Sequence, residues 1–385
     1  MRLCLNLLAA TTGGQITRAR AFLDRFARVA PDSRLIVLKE TSVLRDLGSG
    51  SGREVTDLSI GLGPLKALLR TGWENIRLKT FLRACEADLY LTFSHYLPRN
   101  FPESVPSVVG VSNLAPFSSY AWEAEKPLGR IRLALLRRSI VSSARRASKV
   151  IALSQACREL LIERGVDSKR IVVIPNGVDG DWPPDSSDAE AVFRDNGIAR
   201  PYLLYVSHFY RYKNHFDLIK AFAALEPRLR ASHQLVLVGR PYDRTYFHQV
   251  LALRDRLGLR DKVLAIPGEG GERLKRLYRR ASLFVFTSLV ENSPSSLLEA
   301  MAAGVPVITS RLAPMPEFAG AAAEYFDVHD IRGMAARISA LLADPARLDA
   351  MRALSRARSK LYSWDDFVAR VVEACREAFA SRVKR

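Results

Sequence analysis

The sequence predicts an α/β protein with two Rossmann-like, doubly wound domains. Short apolar runs typical of buried strands alternate with helical patterns, and the alternation stops at a turn-rich stretch near residue 180 and then restarts. The chain has 385 residues, which is enough for two domains that each bury a core. Because strands that alternate with helices form parallel sheets with covered faces, each half should contain one such sheet.

The first half begins with a strand pattern over residues 3–10, a Gly13-Gly14 turn and an amphipathic helix over 18–26. Since this pattern runs on into the fold, it favours a first βα unit over a cleaved signal peptide. Helices are predicted at 65–87 and 128–147. Further strands are predicted at 35–39, 89–93, 107–111, 150–153 and 171–174.

The second half follows a turn at 175–179 and a linker at 181–188. Its helical C-terminus is predicted at 330–343, 345–362 and 365–381. The domains are therefore 1–180 and 181–362, and residues 363–385 form a terminal helix that we expect to return to the N-terminal domain. Strands are predicted at 202–207, 234–239, 263–266, 283–287 and 305–310.

The composition excludes several classes of protein. With 48% hydrophobic and 25% charged residues the chain is not disordered, and no apolar run reaches the roughly 18 residues of a membrane span. The four cysteines are scattered without a CxxC motif, which argues against a zinc knuckle or a disulfide scaffold and suits a reducing cytoplasm.

The formal net charge of +18 favours polyanionic partners. The positive charge is concentrated in residues 126–170, which contain 12 basic residues and only three acidic ones. In 127–147 the basic and apolar residues alternate at helical spacing. That pattern fits a core helix with a solvated basic face, or a surface that docks on anionic lipid. Nucleic-acid binding is not predicted, because no aromatic residues interrupt the basic helix.

The most informative stretch is 283–310, where a buried strand, a loop and a helix follow one another. Ser293 suits the N-cap and Pro294 the first helical position. A helix N-terminus then lies at the carboxyl end of a parallel strand, where open α/β sheets bind ligands and phosphate is favoured. The amides of Ser295 and Ser296 are the expected donors.

Two glutamates belong to the same stretch. Glu291 lies on the loop that faces the crevice, and Glu299 lies about a turn and a half into the helix. Because Glu299 stands among apolar residues, its carboxylate is costly to bury without a ligand or a cation.

These residues resemble the hallmark of the retaining glycosyltransferases of family 4, which have the GT-B fold of two Rossmann-like domains facing each other across a cleft. Glu291 is followed after seven residues by Glu299 and then by Ala-Met-Ala-Ala-Gly-Val-Pro-Val-Ile. The resemblance covers nearly the whole chain. It extends to the Ile-Pro-Asn-Gly-Val-Asp run that ends at 179, to 205–214 and to 322–327.

The resemblance implies roles on the donor side. Glu299 would bind the ribose of a nucleotide sugar, and Glu291 would contact hydroxyls of the donor sugar. Lys213 would neutralise the leaving diphosphate, with help from Arg211 or His208. The chain departs from the family at 207–208 and at 292–294. Gly268 belongs to a glycine-rich loop that the family uses to contact the base, although the glycines alone indicate only a turn.

The resemblance also places the acceptor on the first domain. Gly13 and Gly14 lie in the first βα loop, which the family uses near the diphosphate and the acceptor. His95 and Asn113 follow strands at which many members carry a functional histidine. For His95 a structural loop histidine is the alternative interpretation, and the role of Asn113 stays open.

The predicted function is transfer of a sugar from a nucleotide-sugar donor to a glycan or lipid-linked acceptor, in bacterial surface polysaccharide or lipopolysaccharide synthesis. We expect no cofactor and no metal site, and no Walker, His-x-x-His or Gly-x-Ser-x-Gly motif is present. Two alternatives are another nucleotide-sugar enzyme, such as an epimerase or a phosphorylase, and a polyanion-binding module. The expected location is the cytoplasm, with peripheral contact to the inner membrane face.

Overall fold

A computed structural model describes residues 1–10, 13–40, 44, 53–58, 66–180, 182, 189–199, 201–268 and 270–383. The chain divides into two compact units. One unit contains Met1–Phe117, Pro127–Gly177 and Trp364–Arg385, and the other contains Ser118–Lys126 and Val178–Ser363. Apart from Trp182, the linker expected at 181–188 lies outside the described residues.

The described part of the first unit contains a seven-stranded parallel sheet in the order β3-β2-β1-β4-β5-β6-β7. Strand β1 pairs with β2 and β4 inside the sheet, which agrees with the predicted βα unit. The inner strands are buried, as a sheet covered on both faces requires. The strands are β1 Arg2–Asn6, β2 Arg34–Glu40, β3 Arg53–Leu58, β4 Leu89–Thr92, β5 Ser107–Val111, β6 Lys149–Ala152 and β7 Ile171–Val173.

The second unit has a six-stranded parallel sheet, among its described residues, in the order β10-β9-β8-β11-β12-β13. Each sheet therefore winds outward in both directions from a central strand, as in Rossmann-like domains, and the predicted fold class is confirmed. The strands are β8 Tyr202–Val206, β9 Gln234–Val238, β10 Val263–Ile266, β11 Leu283–Phe286, β12 Val307–Ser310 and β13 Ala323–Phe326.

The helices cover the faces of the sheets. The last helix, α16 Trp364–Val383, packs on α1 and on strands β4, β5 and β6 of the first unit through Phe367, Val368 and Val371. The other helices are α1 Gly14–Val29, α2 Lys66–Ile76, α3 Leu78–Ala84, α4 Ser119–Ala124, α5 Pro127–Arg146, α6 Gln155–Glu163, α7 Ala189–Asp195, α8 His215–Ala223, α9 Pro227–Ser232, α10 Arg244–Arg256, α11 Gly271–Arg280, α12 Ser295–Ala302, α13 Met315–Ala319, α14 Ile331–Leu342 and α15 Pro345–Ser359.

The structure differs from the predicted elements in several places: β1 ends at Asn6 although a strand was predicted over 3–10, helix α4 was not predicted, and two strands and one helix also differ. Strands β3 and β13 were not predicted, because they are edge strands whose charged residues interrupt the apolar pattern. The helix predicted at 65–87 is divided into α2 and α3 at Arg77, although helical hydrogen bonds from Arg77 to Trp73 and from Phe81 to Arg77 continue through this residue.

The four cysteines are not bonded to one another, and Cys4, Cys157 and Cys375 are buried. Within the described ranges, the helices include none that combines the length and the apolar character needed to cross a bilayer.

Candidate active site

The start of helix α12 lies at the carboxyl edge of the second sheet. Strand β11 ends at Phe286, and the helix begins at Ser295. The predicted boundary was wrong by one residue: Pro294 is the N-cap, because its ψ of 87° is not helical, and Ser293 is not the cap. In the described chain no hydrogen bond uses the amides of Ser295 and Ser296, so this helix end can donate to an anion.

Lys213 and Glu291 meet at this edge. Lys213 ends a short 3₁₀ helix, Arg211–Lys213, after strand β8, and its Nζ lies 2.5 Å from Glu291 Oε1. The two side chains are only 15% and 14% exposed, so the ion pair is largely withdrawn from solvent. A ligand anion at Lys213 must therefore compete with the Glu291 carboxylate.

Hydrogen bonds from the ends of two neighbouring strands fix the loop that carries Lys213. Tyr205 Oη donates to the carbonyl of Lys213 at 2.6 Å, and Thr287 Oγ1 donates to the same carbonyl at 3.2 Å. His215 is buried and stacked on Phe209 with ring centroids 4.4 Å apart, and burial lowers its pKa to about 3. This neutral histidine was not singled out by the sequence, because its spacing is that of any core residue.

His208 and Arg211 were the two predicted helpers of Lys213. The Nδ1 of His208 accepts from the Arg240 amide at 3.2 Å, which assigns the proton to Nε2. Burial, Lys213 and Arg240 all lower the pKa of His208, so the ring is a neutral donor near Lys213. Arg211 instead donates to Gln249 Oε1 at 2.8 Å and its Nε lies 4.0 Å from Asp243 Oδ2, so its hydrogen bond is made outside the ion pair.

Glu299 is half-buried and accepts a 2.9 Å hydrogen bond from Tyr278 Oη. Burial above all, together with the nearby Asp179 carboxylate, raises its pKa to about 7 against the opposing effects of Tyr278 and Lys275. Tyr278 is the main residue that sequence reasoning missed here. Its place on the buried face of α11 suggests only a core position, and nothing local connects it to Glu299.

Gly268 follows strand β10 with a φ of +95°, a conformation that favours glycine. It is exposed, and a Cβ added there would meet no atom within 4 Å. Glu269, the next residue of this loop, lies outside the described residues. The conformation of Gly268 therefore suits a turn, and its contact with a base stays a prediction.

The first unit places its predicted residues at the carboxyl edge of its own sheet. Gly13 has a φ of +51° and immediately precedes Gly14, the first residue of α1. His95 follows β4 with a φ of +56°, an uncommon conformation for a non-glycine residue that is often found at functional sites. Its buried Nδ1 bonds to no described residue, and burial, with Arg70, lowers its pKa to about 4.

Asn113 and Arg18 complete this edge. The Oδ1 of Asn113 accepts from the Ala115 amide at 2.9 Å, so Asn113 shapes its own turn. Arg18, which the sequence did not single out, is 3% exposed and donates from Nε to Asn176 Oδ1 at 2.8 Å. Its Nη1 has no partner in the described residues, and burial lowers its pKa to about 10.

Among the described residues, histidine, cysteine, aspartate and glutamate form no cluster of three that could hold an ion. The sequence does contain one Asp-x-Asp run, Asp179-Gly180-Asp181, which sequence reasoning overlooked. Asp181 lies outside the described residues.

Two family models match consecutive parts of the chain. The model described as Glycosyltransferase Family 4 matches residues 12–182, and the one described as Glycosyl transferases group 1 matches residues 188–358. Together they cover both units, and the boundary between them falls within the expected linker.

Curated proteins and solved structures agree with these matches. The chain is 26% identical to O-antigen chain mannosyltransferase B of Escherichia coli over 76% of this chain and 75% of that protein. It is 30% identical to a D-inositol 3-phosphate glycosyltransferase of Xylanimonas cellulosilytica, over 61% of this chain and 58% of that protein. The crystal structure of Anabaena HepE in complex with UDP-glucose superimposes with a TM-score of 0.75 at 18% identity, covering 97% of this chain and 98% of that one.

Proposed function

The chain belongs to the family 4 glycosyltransferases with the GT-B fold, and from that premise we propose that it transfers a sugar, with retention, from a nucleoside-diphosphate donor to a hydroxyl of a glycan or lipid-linked acceptor. Its relatives include an O-antigen mannosyltransferase and a mannosyltransferase that acts on a cellobiosyl-diphosphopolyprenol. Synthesis of bacterial surface polysaccharide or lipopolysaccharide is therefore the setting that we propose.

The observation that carries this proposal is the pairing of Lys213 with Glu291 beside the start of α12. A donor diphosphate at this helix end would accept from the Ser295 and Ser296 amides and draw Lys213 away from Glu291. Glu291 would then be released toward the hydroxyls of the donor sugar. Glu299, on the same helix, would accept from the ribose hydroxyls, and Gly268 would lie by the base.

In the reaction, the bond between the anomeric carbon and the diphosphate oxygen breaks, and a bond to the acceptor oxygen forms on the same face. The proton of the acceptor hydroxyl passes to the leaving phosphate oxygen. Because the diphosphate gains charge as its bond breaks, Lys213 and the helix amides stabilise the transition state more than the bound donor. His208 can add a neutral N–H donor from Nε2.

On the acceptor side, we propose that Gly13 and Gly14 allow close approach of the backbone and that His95 contacts the acceptor. The unpartnered Nδ1 and the positive φ of His95 support a binding role over a purely structural one. Asn113 is a weaker candidate, because its carbonyl oxygen is already used by Ala115.

The other functions are less favoured. The curated relatives named above are transferases, which argues against an epimerase or a phosphorylase. A polyanion-binding module would not need the Lys213–Glu291 and Tyr278–Glu299 pairs.

The proposal is tested by measuring thermal stabilisation with each nucleoside diphosphate and then transfer from the corresponding sugars. A ligand that binds the folded state raises its apparent stability. We expect one nucleotide to stabilise the protein and the anomeric proton of the product to keep the configuration of the donor. Inversion, or no stabilisation by any nucleotide, would refute the proposed reaction.

We also propose that catalysis needs no metal ion, since Lys213 and the helix amides supply positive charge at the diphosphate. Transfer should persist in EDTA. If EDTA abolishes transfer and magnesium or manganese restores it, a metal site has been missed, and Asp179 with Asp181 is the first place to examine.

Finally, we propose that the protein works in the cytoplasm and binds reversibly to the anionic inner face of the membrane through α5. Leu128, Ile131 and Leu135 are 83%, 58% and 61% exposed, and they lie on one face of this basic helix. Exposed apolar side chains next to basic ones are typical of helices that lie in a membrane surface. Each basic residue near such a surface contributes about 1 kcal/mol.

Co-sedimentation with anionic vesicles at low salt tests the membrane contact, and high salt should release the protein. The variant in which Arg137, Arg138, Arg145 and Arg146 are all replaced by Gln should stay in the supernatant. If the wild type stays there too, or if the variant sediments like the wild type, the basic helix is only a solvated face.

A further inference from the structure

A recess of about 500 Å³ opens on the first unit between helix α5 and the segment that follows α6. Five of its seven lining residues are arginines, and the other two are Val141 and Ser142. The arginines are Arg137, Arg138, Arg145, Arg146 and Arg164. Such a concentration of guanidinium groups around one hollow favours an anion with several oxygens, because each guanidinium can donate two parallel hydrogen bonds.

Uncharged acceptors orient two of these guanidinium groups, those of Arg145 and Arg146. Arg145 donates from Nε to the carbonyl of Arg164 at 2.9 Å, and Arg146 donates from Nη1 to the carbonyl of Pro98 at 2.6 Å. Carbonyl groups fix the side chains without cancelling their charge. The carboxylate of Glu163 lies 3.3 Å from Arg164, and it is 71% exposed.

Some guanidinium N–H groups at the rim of the recess donate no hydrogen bond within the described chain. No described residue accepts a hydrogen bond from Arg138, and Nη1 of Arg145 is likewise unused among the described residues. Gly165 makes room for Arg145, because a Cβ at Gly165 would lie 2.9 Å from Arg145 Nη2. The recess is therefore built around Arg145 and keeps its positive charge.

The recess and the predicted acceptor residues occupy different positions along the same sheet, although Arg146 bonds the carbonyls of Leu97 and Pro98, two and three residues beyond His95. Arg145 and Arg146 come just before strand β6 begins, and Arg164 comes before β7, so these residues lie at the amino edge. His95 and Asn113 follow the carboxyl ends of β4 and β5. In a parallel sheet these are opposite edges, so the recess arginines approach the sheet from the other edge than His95 and Asn113.

The recess continues the exposed apolar face of α5. At about 100° per residue, positions 128, 131, 135, 138, 142 and 145 all fall on one face of the helix. The first half of that face carries Leu128, Ile131 and Leu135, and the second half carries Arg138 and Arg145. An apolar half and an arginine half on one face match an amphiphile, whose hydrocarbon and phosphate lie next to each other.

We propose that the arginine recess binds a phosphomonoester group, presented by an anionic amphiphile at the membrane surface on which α5 docks. This inference rests on the membrane contact proposed above. A monoester offers three terminal oxygens and up to two negative charges, whereas a phosphodiester offers two oxygens and one charge. The recess should therefore discriminate between anionic lipids that nonspecific electrostatic attraction would bind equally well.

The experiment compares vesicles of phosphatidic acid with vesicles of phosphatidylglycerol, each diluted in phosphatidylcholine to equal surface potential. Full-length protein is co-sedimented at low salt as the wild type, as the Arg138→Gln/Arg145→Gln double variant, and as Arg83→Gln/Arg256→Gln. The last variant removes the same charge from exposed arginines outside the recess. Because one charge-assisted hydrogen bond is worth about tenfold, the wild type should prefer phosphatidic acid by about tenfold.

The preference for phosphatidic acid over phosphatidylglycerol should be lost in Arg138→Gln/Arg145→Gln and should persist in Arg83→Gln/Arg256→Gln. Equal binding of the wild type to both lipids, or an unchanged preference in the recess variant, would overturn the proposal. If the wild type binds neither vesicle, the membrane contact itself fails.

Glycerol 3-phosphate is then titrated into the protein by calorimetry in the presence of saturating nucleoside diphosphate. Binding heat that is lost only in the recess variant would assign the recess to soluble phosphomonoesters. No binding heat in the wild type would reject phosphate binding altogether.

Discussion

The carboxyl edges of the two sheets differ in how their polar side chains are paired. In the second unit Lys213 bonds Glu291, and Tyr278 bonds Glu299, so the groups proposed to meet the donor are paired. Among the described residues of this edge, the only buried side-chain atom without a hydrogen-bond partner is Nδ1 of His215 next to them. In the first unit Nδ1 of His95 and Nη1 of Arg18 are buried, and neither has a hydrogen-bond partner in the described chain. His95 also has a backbone φ of +56°.

The difference indicates how each edge should treat its ligand. A buried unpaired donor or acceptor costs about 1–3 kcal/mol of stability, and a strained backbone costs about as much. A ligand that bonds the unpaired groups of the first edge therefore recovers part of this free energy. At the second edge a ligand must exchange partners with groups that are already oriented. The second edge is therefore suited to stabilising the changing charge of a diphosphate, and the first to selecting an acceptor.

The largest effect is expected at the ion pair. Lys213→Ala should lower turnover on the order of 100-fold to 1000-fold, as for loss of an oxyanion donor, with a smaller change in donor KM. Steady-state kinetics at saturating acceptor measures both. Lys220→Ala, an exposed lysine on the following helix, serves as the control.

A Lys213→Ala enzyme with the turnover of the wild type would remove the main distinction between the two edges. In the double variant Lys213→Ala/Glu291→Gln both charges of the ion pair are removed. It therefore distinguishes loss of the Lys213 charge from damage to the loop by an unpaired Glu291 carboxylate. If Lys213 acts on the leaving group, that double variant should be no faster than Lys213→Ala.

A smaller effect is expected at Glu299. Glu299→Ala should weaken binding of the preferred nucleoside diphosphate by about 1.5–3 kcal/mol, the value of one hydrogen bond to a charged group. The fold should persist, because Tyr278 Oη also donates to the Ser296 carbonyl at 3.3 Å. Titration calorimetry gives the affinity, and an unchanged Kd at an unchanged melting temperature would remove the ribose role.

The sequence identified the elements of both edges but not their pairing. Apolar runs and turn residues locate most strands, and the spacing of Glu291 and Glu299 identifies the helix at 295–302. The partners come from distant positions: Tyr278 lies 21 residues from Glu299, and Lys213 lies 78 residues from Glu291. Such contacts depend on tertiary packing, and local periodicity carries no information about them.

At the first edge we expect a modest and selective effect. Asparagine tolerates a positive φ, so His95→Asn should keep the backbone and remove only the imidazole. Transfer to the acceptor should fall by about tenfold, in line with the loss of one hydrogen bond, while affinity for the nucleotide stays at the wild-type value. Paired measurements of transfer rate and nucleotide Kd are required, and a loss of nucleotide binding in His95→Asn would contradict the division of roles.

The smallest effect concerns pH and again involves Glu299. Its folded pKa of about 7 lies above the ordinary value of a glutamate, so the folded protein binds the extra proton between these values. This group therefore makes the free energy of unfolding fall as pH rises from about 4.5 to 7. Nucleotide binding has the opposite dependence, because a ribose hydroxyl donates to the carboxylate and favours release of the proton.

We therefore expect nucleotide affinity to rise, by less than tenfold per pH unit, as pH increases from 6 to 8. The diphosphate itself titrates near pH 6, so the same series is run with Glu299→Gln, in which only the ligand's own dependence should remain. The difference between the two slopes belongs to Glu299. If the slopes coincide, Glu299 is already ionised in the free protein, and the donor edge would be as fully prepared for its ligand as its pairing suggests.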